Sequence, residues 1–173
     1  MALEAYMEVV GENQGQYPPE ATREVHKNKN RSPVLRVDYS MFRARDIQRH
    51  TFSNEPVQRP IKVLKEWGGI TPLINQAVVT NEPLKTVTFT FVRPKGKGKF
   101  EEYLEIKLED ARAISQTMFT GSPDDGSENT SKTSVAVDTL ELEEIEYSFR
   151  KITITNLVDG QATNYDWNKP NVK

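Results

Sequence analysis

The sequence predicts a mainly β protein, folded as a compact β-barrel or two-sheet sandwich with one short α-helix. Apolar and polar residues alternate in several segments, as in strands that bury one face. Turn-forming prolines and glycines separate these segments, and only one stretch of the chain carries a strong helical pattern. A chain of 173 residues suits one domain, which we place at residues 1–173.

The first third of the chain predicts two strands and two polar connections. Residues 5–10 alternate as a strand, which Gly11 ends, and the polar, proline-containing stretch 11–33 is predicted to be a loop. Val34–Phe42 predicts a second strand, followed at 43–60 by a long polar connection of the functional or flexible kind. Leu35, Val37 and Tyr39 are predicted to share one face of this second strand.

The next segments predict a strand and then the helix. In "IKVLKEW", Ile61, Val63 and Lys65 are predicted to share one face of a strand. Thr71 is the expected N-cap of a helix of about ten residues, with Pro72 at its first position, where a missing N–H costs nothing. Its apolar stripe includes Leu73, Ile74, Ala77 and Val78, and Asn81 and Pro83 are expected to end it.

The remainder of the chain predicts long strands. Leu84–Pro94 places Val87, Phe89 and Phe91 on one face, and "PKGKGK" is predicted to be a hairpin tip before the return strand. An acidic, glycine- and serine-rich loop follows, and then the strand region 134–156. Its apolar alternation changes phase twice, which requires a bulge or a strong bend, as at the corners of a small barrel.

Composition excludes several classes of function. Cysteine is absent, so disulfides and thiolate metal sites are impossible. Twenty-three basic and 25 acidic residues nearly balance, which argues against binding driven by nucleic-acid phosphates. No apolar run approaches 18 residues, so we expect no membrane insertion, and the N-terminal sequence lacks the features of a signal peptide.

Side chains that could carry chemistry all have simpler interpretations. His26 and His50 lie in polar segments and are expected to be solvated, and the glutamates of "LELEEIE" are expected to form the wet face of a strand. A basic cluster is interpreted as a charged protein contact or as solvated; it comprises Arg43, Arg45, Arg49 and His50. We therefore predict a structural or interaction module, with no catalytic residue, metal or cofactor.

The order of these segments resembles the haemolysin-coregulated protein (Hcp) family of bacterial type VI secretion, over essentially the whole chain. The resemblance is carried by "MALEAYMEVVGENQGQ", by "QRPIKVLKEWGGITPLINQAVVTNEPLKTVTFTFVRP", by "YLEIKLEDARAISQTM" and by the final "EEIEYSFRKITIT" with "DW". It implies a ring-forming barrel whose hexameric rings stack into a tube, inside a contractile sheath and together with a spike. Secreted effectors would travel in the lumen.

The resemblance also implies a location and a set of contact residues. The protein would be made in the bacterial cytoplasm and secreted to the outside or into a target cell, without a signal peptide. We expect Asp166 and Trp167 to anchor the C-terminal tail on the barrel or on a neighbouring subunit. The complete set of subunit-interface candidates is Arg43, Arg45, Arg49, His50, Phe52, Asp166 and Trp167. The arginines at 43–49 and the acids at 124–128 could meet between stacked rings.

Two alternatives remain open at this point. A monomeric β-barrel that binds a ligand would contain an apolar cavity, whereas the inward-facing aromatic residues here look sufficient to fill a small barrel. A toxin domain fused after the barrel would make the protein an enzyme, but the chain ends within a few residues of the expected barrel.

Overall fold

The structure is a computed structural model that describes residues 4–46, 51–52, 55–120 and 141–168. Within these ranges it contains two helices, α1 (Glu24–Lys27) and α2 (Thr71–Thr80). The strands are β1 (Glu4–Gly11), β2 (Ser32–Val34), β3 (Arg36–Asp38), β4 (Met41–Phe42), β5 (Arg45–Asp46), β6 (Thr51–Phe52), β7 (Val57–Gln58), β8 (Ile61–Glu66), β9 (Leu84–Gly96), β10 (Lys99–Thr120), β11 (Glu141–Asn156) and β12 (Ala162–Asp166).

One antiparallel sheet curls round on itself to form the predicted barrel, which is nearly closed. Its strand order is β2-β1-β9-β10-β11-β8-β3, and β12 pairs with β11 outside this path. Only Leu35 separates β2 from β3, so one short segment pairs with β1 at one edge of the sheet and with β8 at the other. The Leu35 N–H donates to the Leu64 carbonyl at 2.8 Å, which joins the two edges. This near closure leaves little open edge along the main path of the sheet to attract other strands.

The place of Leu35, between β2 and β3, explains one wrong prediction. Leu35 was expected to share a face with Val37 and Tyr39, but its side chain is 39% exposed, and Val34 is buried. The chain changes partner strands at Leu35, so the alternation of faces does not run unbroken through the segment. Val37 and Tyr39 do share a face, since both are partly buried and pack against the core.

The interior of the barrel is filled with side chains. Ile61, Val63 and Phe89 are completely buried, as their alternation predicts, and the ring of Tyr147 lies beside that of Phe89, with centroids 6.4 Å apart. Burial raises the pKa of Tyr147 well above its usual value of 10.0. The core therefore consists of closely packed aromatic and aliphatic residues, as in other small barrels.

Helix α2 lies against the barrel with Ile74 and Ala77 buried. It ends as predicted, because Asn81 adopts a left-handed conformation with φ 52°. Its beginning differs by one residue, since Ile70 occupies the N-cap position and Thr71 is already helical. Thr71 instead uses its hydroxyl to accept a hydrogen bond from the Gly68 N–H at 2.9 Å and to donate one to Glu143 at 2.8 Å.

The stretch 11–33 is not the featureless loop that its polarity predicts. It contains α1 and the start of β2, and Tyr17 is almost fully buried. The prediction of a solvated His26 is wrong: its imidazole is 5% exposed and stacks on Tyr6, with ring centroids 3.8 Å apart. Two aromatic rings on different elements thus hold this segment to β1.

The bulge expected from the phase change of the last strand lies in its partner. Pairing between β10 and β11 shifts register between Ala113 and Ser115, so Ile114 is the extra residue. Asp110 of β10 also takes a left-handed conformation, with φ 52°. The acidic loop predicted after β10 falls on residues 121–140, outside the described ranges. No described helix has the length and hydropathy needed to cross a membrane.

Candidate subunit-interface surface

A hairpin arm, residues 41–58, extends between β3 and β8. Its described parts form two short antiparallel ladders, in which β4 pairs with β7 and β5 pairs with β6. Phe42 lies opposite Val57, and Arg45 lies opposite Phe52. These ladders form separate two-stranded sheets, outside the hydrogen-bonding path of the barrel. The long polar connection predicted for this region therefore contains paired backbone.

The base of the hairpin arm carries exposed apolar side chains. Met41, Phe42 and Val57 are each about 40% exposed, at 39, 44 and 40% respectively. The guanidinium of Arg59 lies 5.4 Å from the centre of the Phe42 ring, a distance typical of a cation–π contact. Such a group of apolar residues with a cationic neighbour resembles the composition of protein–protein interfaces.

The predicted interface candidates divide between described and undescribed parts of the arm. Arg43 and Arg45 are exposed, and each already takes part in a noncovalent contact. Phe52 belongs to β6, where its backbone pairs with that of Arg45. Arg49 and His50 lie outside the described residues, so the expected basic cluster is seen only in part.

The C-terminal tail contacts both the barrel and the base of the arm. Asp166 pairs with Arg150 of β11 at 2.9 Å, and the backbone N–H of Trp167 donates to the Arg150 carbonyl at 3.1 Å. The indole N–H of Trp167 donates to the side-chain oxygen of Gln58 in β7, and its ring meets that of Tyr165 edge-on at 5.1 Å. Within the single chain, Asp166 and Trp167 thus fasten the tail to its own barrel.

A cleft of about 370 Å³ opens where the arm joins the barrel. It is lined by Asp38, Tyr39, Ser40, Arg59, Pro60 and Lys62. Asp38, Ser40, Arg59 and Lys62 contribute polar groups to this lining, although most of its exposed surface is apolar. The cleft is partly open at the surface and is not an enclosed cavity inside the barrel.

Sequence reasoning missed a buried polar network at the start of α2. The ammonium group of Lys65 lies 3.0 Å from Glu143 and 3.1 Å from Glu20, and it donates to the Glu66 carbonyl at 2.6 Å. Gln116 donates to the second oxygen of Glu143 at 2.6 Å. Lys65 and Glu143 are completely buried, so the prediction that Glu143 belongs to a wet strand face is wrong. The inward alternation of Lys65 was the one signal that a buried acid must lie opposite.

Close backbone approach accompanies this network. Glu20 accepts a hydrogen bond from the Ile70 N–H at 2.9 Å, and its carboxylate occupies the space that a side chain on Gly68 would need. Glycine at 68 therefore allows the segment before α2 to lie directly against Glu20.

A second carboxylate holds the other end of α2. Glu82 accepts hydrogen bonds from the backbone N–H groups of Asn13 and Gln14, both at 2.8 Å, and from the Gln14 side chain at 2.7 Å. Burial raises the pKa of Glu82, but these hydrogen bonds outweigh it and leave the pKa below its usual value. The Tyr17 hydroxyl donates to the Leu73 carbonyl at 3.2 Å, and burial together with Glu82 raises the Tyr17 pKa to about 12.

These buried ionisable groups position secondary-structure elements. Each carboxylate named above is engaged by backbone N–H groups or side chains that fix α2 on the barrel. Among the described residues, no group of three or more His, Cys, Asp or Glu side chains is arranged to hold a metal ion. The arrangement is suited to rigid presentation of the arm, the tail and the long hairpins.

The family model described as "Type VI secretion system effector, Hcp" matches residues 6–155. The chain belongs to the Hcp family. The "Major exported protein" of Pseudomonas aeruginosa is 24% identical to this chain, and the alignment covers 98% of each protein. This assignment confirms the family resemblance stated above.

Solved Hcp structures confirm the fold. A crystal structure of an Hcp protein superposes with a TM-score of 0.80 at 22% identity, covering 97% of this chain and 99% of that one. The secreted protein Hcp3 from Pseudomonas aeruginosa gives a TM-score of 0.69 at 23% identity, covering 97% of this chain and all of the other. The mainly β, barrel-like architecture is therefore shared across distant sequences of the family.

Proposed function

We propose that this Hcp protein is a structural subunit of the inner tube of a type VI secretion system. Six copies would form a ring, and rings would stack into a tube inside a contractile sheath, behind a spike. The observation that carries the proposal is the hairpin arm, whose exposed Met41, Phe42 and Val57 stand on a nearly closed and well-packed barrel. An apolar surface of this kind is suited to contact with another copy.

Ring formation requires two different surfaces on each subunit. A contact that joins unlike surfaces closes into a ring when its rotation is right, and otherwise continues as a filament. The arm and the tail supply one continuous surface, because Trp167 is hydrogen-bonded to Gln58 at the base of the arm. We place this surface, with Arg43, Arg45 and Phe52, at a junction between subunits.

Export and cargo complete the proposal. The tube would be assembled in the bacterial cytoplasm and propelled out of the cell with effectors in its lumen. Family membership supports this role, and the related Pseudomonas aeruginosa protein is named for being exported. The role is mechanical, and the subunit itself would not be an enzyme.

A monomeric ligand-binding barrel is the alternative, and the packed core disfavours it. Ligand-binding barrels keep an internal cavity for their ligand. Here Phe89 and Tyr147 occupy the interior together with aliphatic residues that are almost entirely buried. The cleft at the base of the arm is partly open and lies at the surface, outside this packed interior.

Assembly of the purified protein tests the proposal. Light scattering should give a mass six times that of the 19.8 kDa chain, and negative-stain electron microscopy should show rings. A protein that stays monomeric at every concentration would contradict it.

The role of the arm is tested with Phe42→Ser, which removes an exposed aromatic ring. We expect fewer stacked or closed assemblies, whereas Val79→Ser, at a residue 74% exposed on α2, should assemble like the wild type. Trp167→Ala reports on the tail in the same assay. If Phe42→Ser assembles as the wild type does, the hairpin arm is not the contact surface.

A further inference from the structure

The chain contains four methionines, and the three that the structure describes differ sharply in exposure. Met7 lies in the core, only 1% exposed, and its sulfur accepts a hydrogen bond from the Tyr147 hydroxyl at 3.5 Å. Met41 of β4 is 39% exposed, and Met118 of β10 is 46% exposed. An oxidant in solution therefore reaches the thioethers of Met41 and Met118, whereas that of Met7 is shielded.

Met41 lies at the base of the hairpin arm, on the face of the arm that holds the tail. In the ladder of β4 with β7, Met41 lies directly opposite Gln58, so the two side chains are neighbours on one face. The indole N–H of Trp167 donates to the side-chain oxygen of Gln58. The next pair of the ladder, Phe42 and Val57, points to the other face. Met41 is thus a direct neighbour of the side chain that anchors Trp167.

Oxidation by a hydroperoxide would change the chemistry of the Met41 side chain. The sulfur attacks one peroxide oxygen with a lone pair, the O–O bond breaks, and a sulfoxide forms. The sulfur loses two electrons, and the other oxygen leaves and takes up the proton, as water when the oxidant is hydrogen peroxide. A flexible apolar side chain becomes a polar one, and methionine sulfoxide reductases reverse the change.

The sulfoxide would act on the continuous surface of arm and tail in two ways. It places a hydrogen-bond acceptor beside Gln58, in competition for the indole N–H of Trp167. It also introduces a hydrated dipole next to the exposed apolar side chains of Phe42 and Val57. Covering a polar group without a new hydrogen bond is unfavourable, so the modified surface is less suited to contact with another protein.

We propose that Met41 is an oxidative modification site, and that its sulfoxide prevents the surface of arm and tail from joining a second copy of this chain. The inference rests on the proposed function, because it regulates the contact that the proposed function assigns to this surface. Met118 provides a contrast, since its strand takes no part in the ladders of the arm. Contact with another copy covers Met41, so the modification acts on free subunits.

Graded treatment of dilute, unassembled protein with hydrogen peroxide tests the proposal. Peptide mass spectrometry measures the sulfoxide at each methionine, and sedimentation velocity after concentration measures the fraction of subunits in rings. Oxidation of Met41 in the wild type should weaken ring assembly by about tenfold or more. Met41→Leu keeps a similar volume without a reactive sulfur, so treatment should leave its assembly unchanged. Met118→Leu is the matched control and should lose assembly on treatment, as the wild type does.

The outcomes separate this modification from the proposed function. Incubation with a methionine sulfoxide reductase should restore assembly of the oxidised wild type. If the wild type assembles fully with Met41 oxidised, or if treated Met41→Leu loses assembly as the wild type does, the modification is not the switch and the tube function stands. A loss of the β signal in circular dichroism on treatment would assign the effect to unfolding and also overturn the proposal. Rings absent from the untreated wild type would overturn the proposed function itself.

Discussion

Two lysine–glutamate pairs in the same ladder show how strongly burial changes the meaning of a salt bridge. In the pairing of β8 with β11, Lys65 lies directly opposite Glu143, and Lys62 lies directly opposite Glu146. The charged atoms are 3.0 Å apart in the first pair and 3.1 Å apart in the second. Both side chains of the first pair are completely buried, whereas those of the second are 43 and 25% exposed.

The two pairs differ in the groups that replace water around the charged atoms. Lys65 has three protein acceptors, Glu143, Glu20 and the Glu66 carbonyl, which match the three donors of an ammonium group. Glu143 in turn accepts from Thr71 and Gln116. Such full coordination offsets the cost of removing two charges from water. Lys62 lies on the opposite face of β8 and keeps its contact with solvent.

The largest effect is expected for Lys65→Met. This change leaves Glu143 buried without its cation, and breaking a buried pair in this way costs about 3–5 kcal/mol of unfolding free energy. Urea denaturation followed by tryptophan fluorescence measures the loss. Lys62→Met, on the same strand, is the matched control.

A second variant separates charge from packing at this site. In Lys65→Met/Glu143→Leu both charges are gone, so part of the lost stability should return, although Glu20, Thr71 and Gln116 still lose a partner. An equal loss in Lys65→Met and Lys62→Met would show that burial does not distinguish the two pairs.

This comparison also shows how far sequence reasoning extends. The inward position of Lys65 follows from its alternation with Ile61 and Val63, and the structure confirms it. The burial of Glu143 does not follow, because it depends on the register that sets Glu143 opposite Lys65 across 78 residues. Periodicity describes one strand at a time, whereas a buried pair is a property of two.

The sequence did not predict the shortest strands, for a related reason. The ladders of the hairpin arm contain strands of two residues, such as β4 and β7, which are too short to display any alternation. Helix α2 was predictable because Pro72 and Asn81 mark its two ends chemically. The interface candidate Trp167 meets Gln58 only because the tail returns past β11 to the base of the arm.

A third charged cluster contains His26. It is less buried than the Lys65–Glu143 pair and more buried than the Lys62–Glu146 pair. The side chain of Arg31 is 7% exposed, and it donates to Glu102 at 2.6 Å and to Nδ1 of His26 at 3.2 Å. A guanidinium only donates, so Nδ1 must accept, and His26 is neutral. Burial lowers the pKa of His26, Arg31 lowers it further, and Glu102 partly opposes them.

Protonation of His26 in acid should therefore lower the free energy of unfolding. The loss should be smaller than that caused by Lys65→Met. The ordinary His26 pKa of 6.5 is lowered in the folded state, so the unfolded chain binds the proton more readily. Stability is full above about pH 6.5 and falls as the pH drops through the folded pKa. Urea denaturation at fixed protein concentration, between pH 7.5 and 5, measures this slope.

Glutamine provides the control for this titration. His26→Gln keeps an oxygen that can accept from Arg31 but does not titrate, so the slope should disappear. His50→Gln removes the other histidine of the chain and should leave the slope unchanged. A slope that survives His26→Gln would assign the acid sensitivity to another group. The titration of Glu102 is separable from that of His26, because hydrogen bonding from Arg31 lowers the pKa of Glu102 to about 2.

The smallest effect belongs to the exposed pair. Lys62→Met should lower the free energy of unfolding by roughly 0.2–1 kcal/mol, the range of solvent-exposed ion pairs. In 1 M NaCl most of this difference should disappear, because the Debye length falls to about 3 Å. A double-mutant cycle with Glu146→Gln isolates the coupling from two other losses. These are the lysine stem and the second contact of the Lys62 ammonium group, with Glu144 at 3.9 Å. The Lys65–Glu143 coupling should change little over the same range of salt, since both groups are shielded from ions. Equal salt sensitivity of the two couplings would mean that water reaches Lys65, and the buried network would then lose its role in fixing α2.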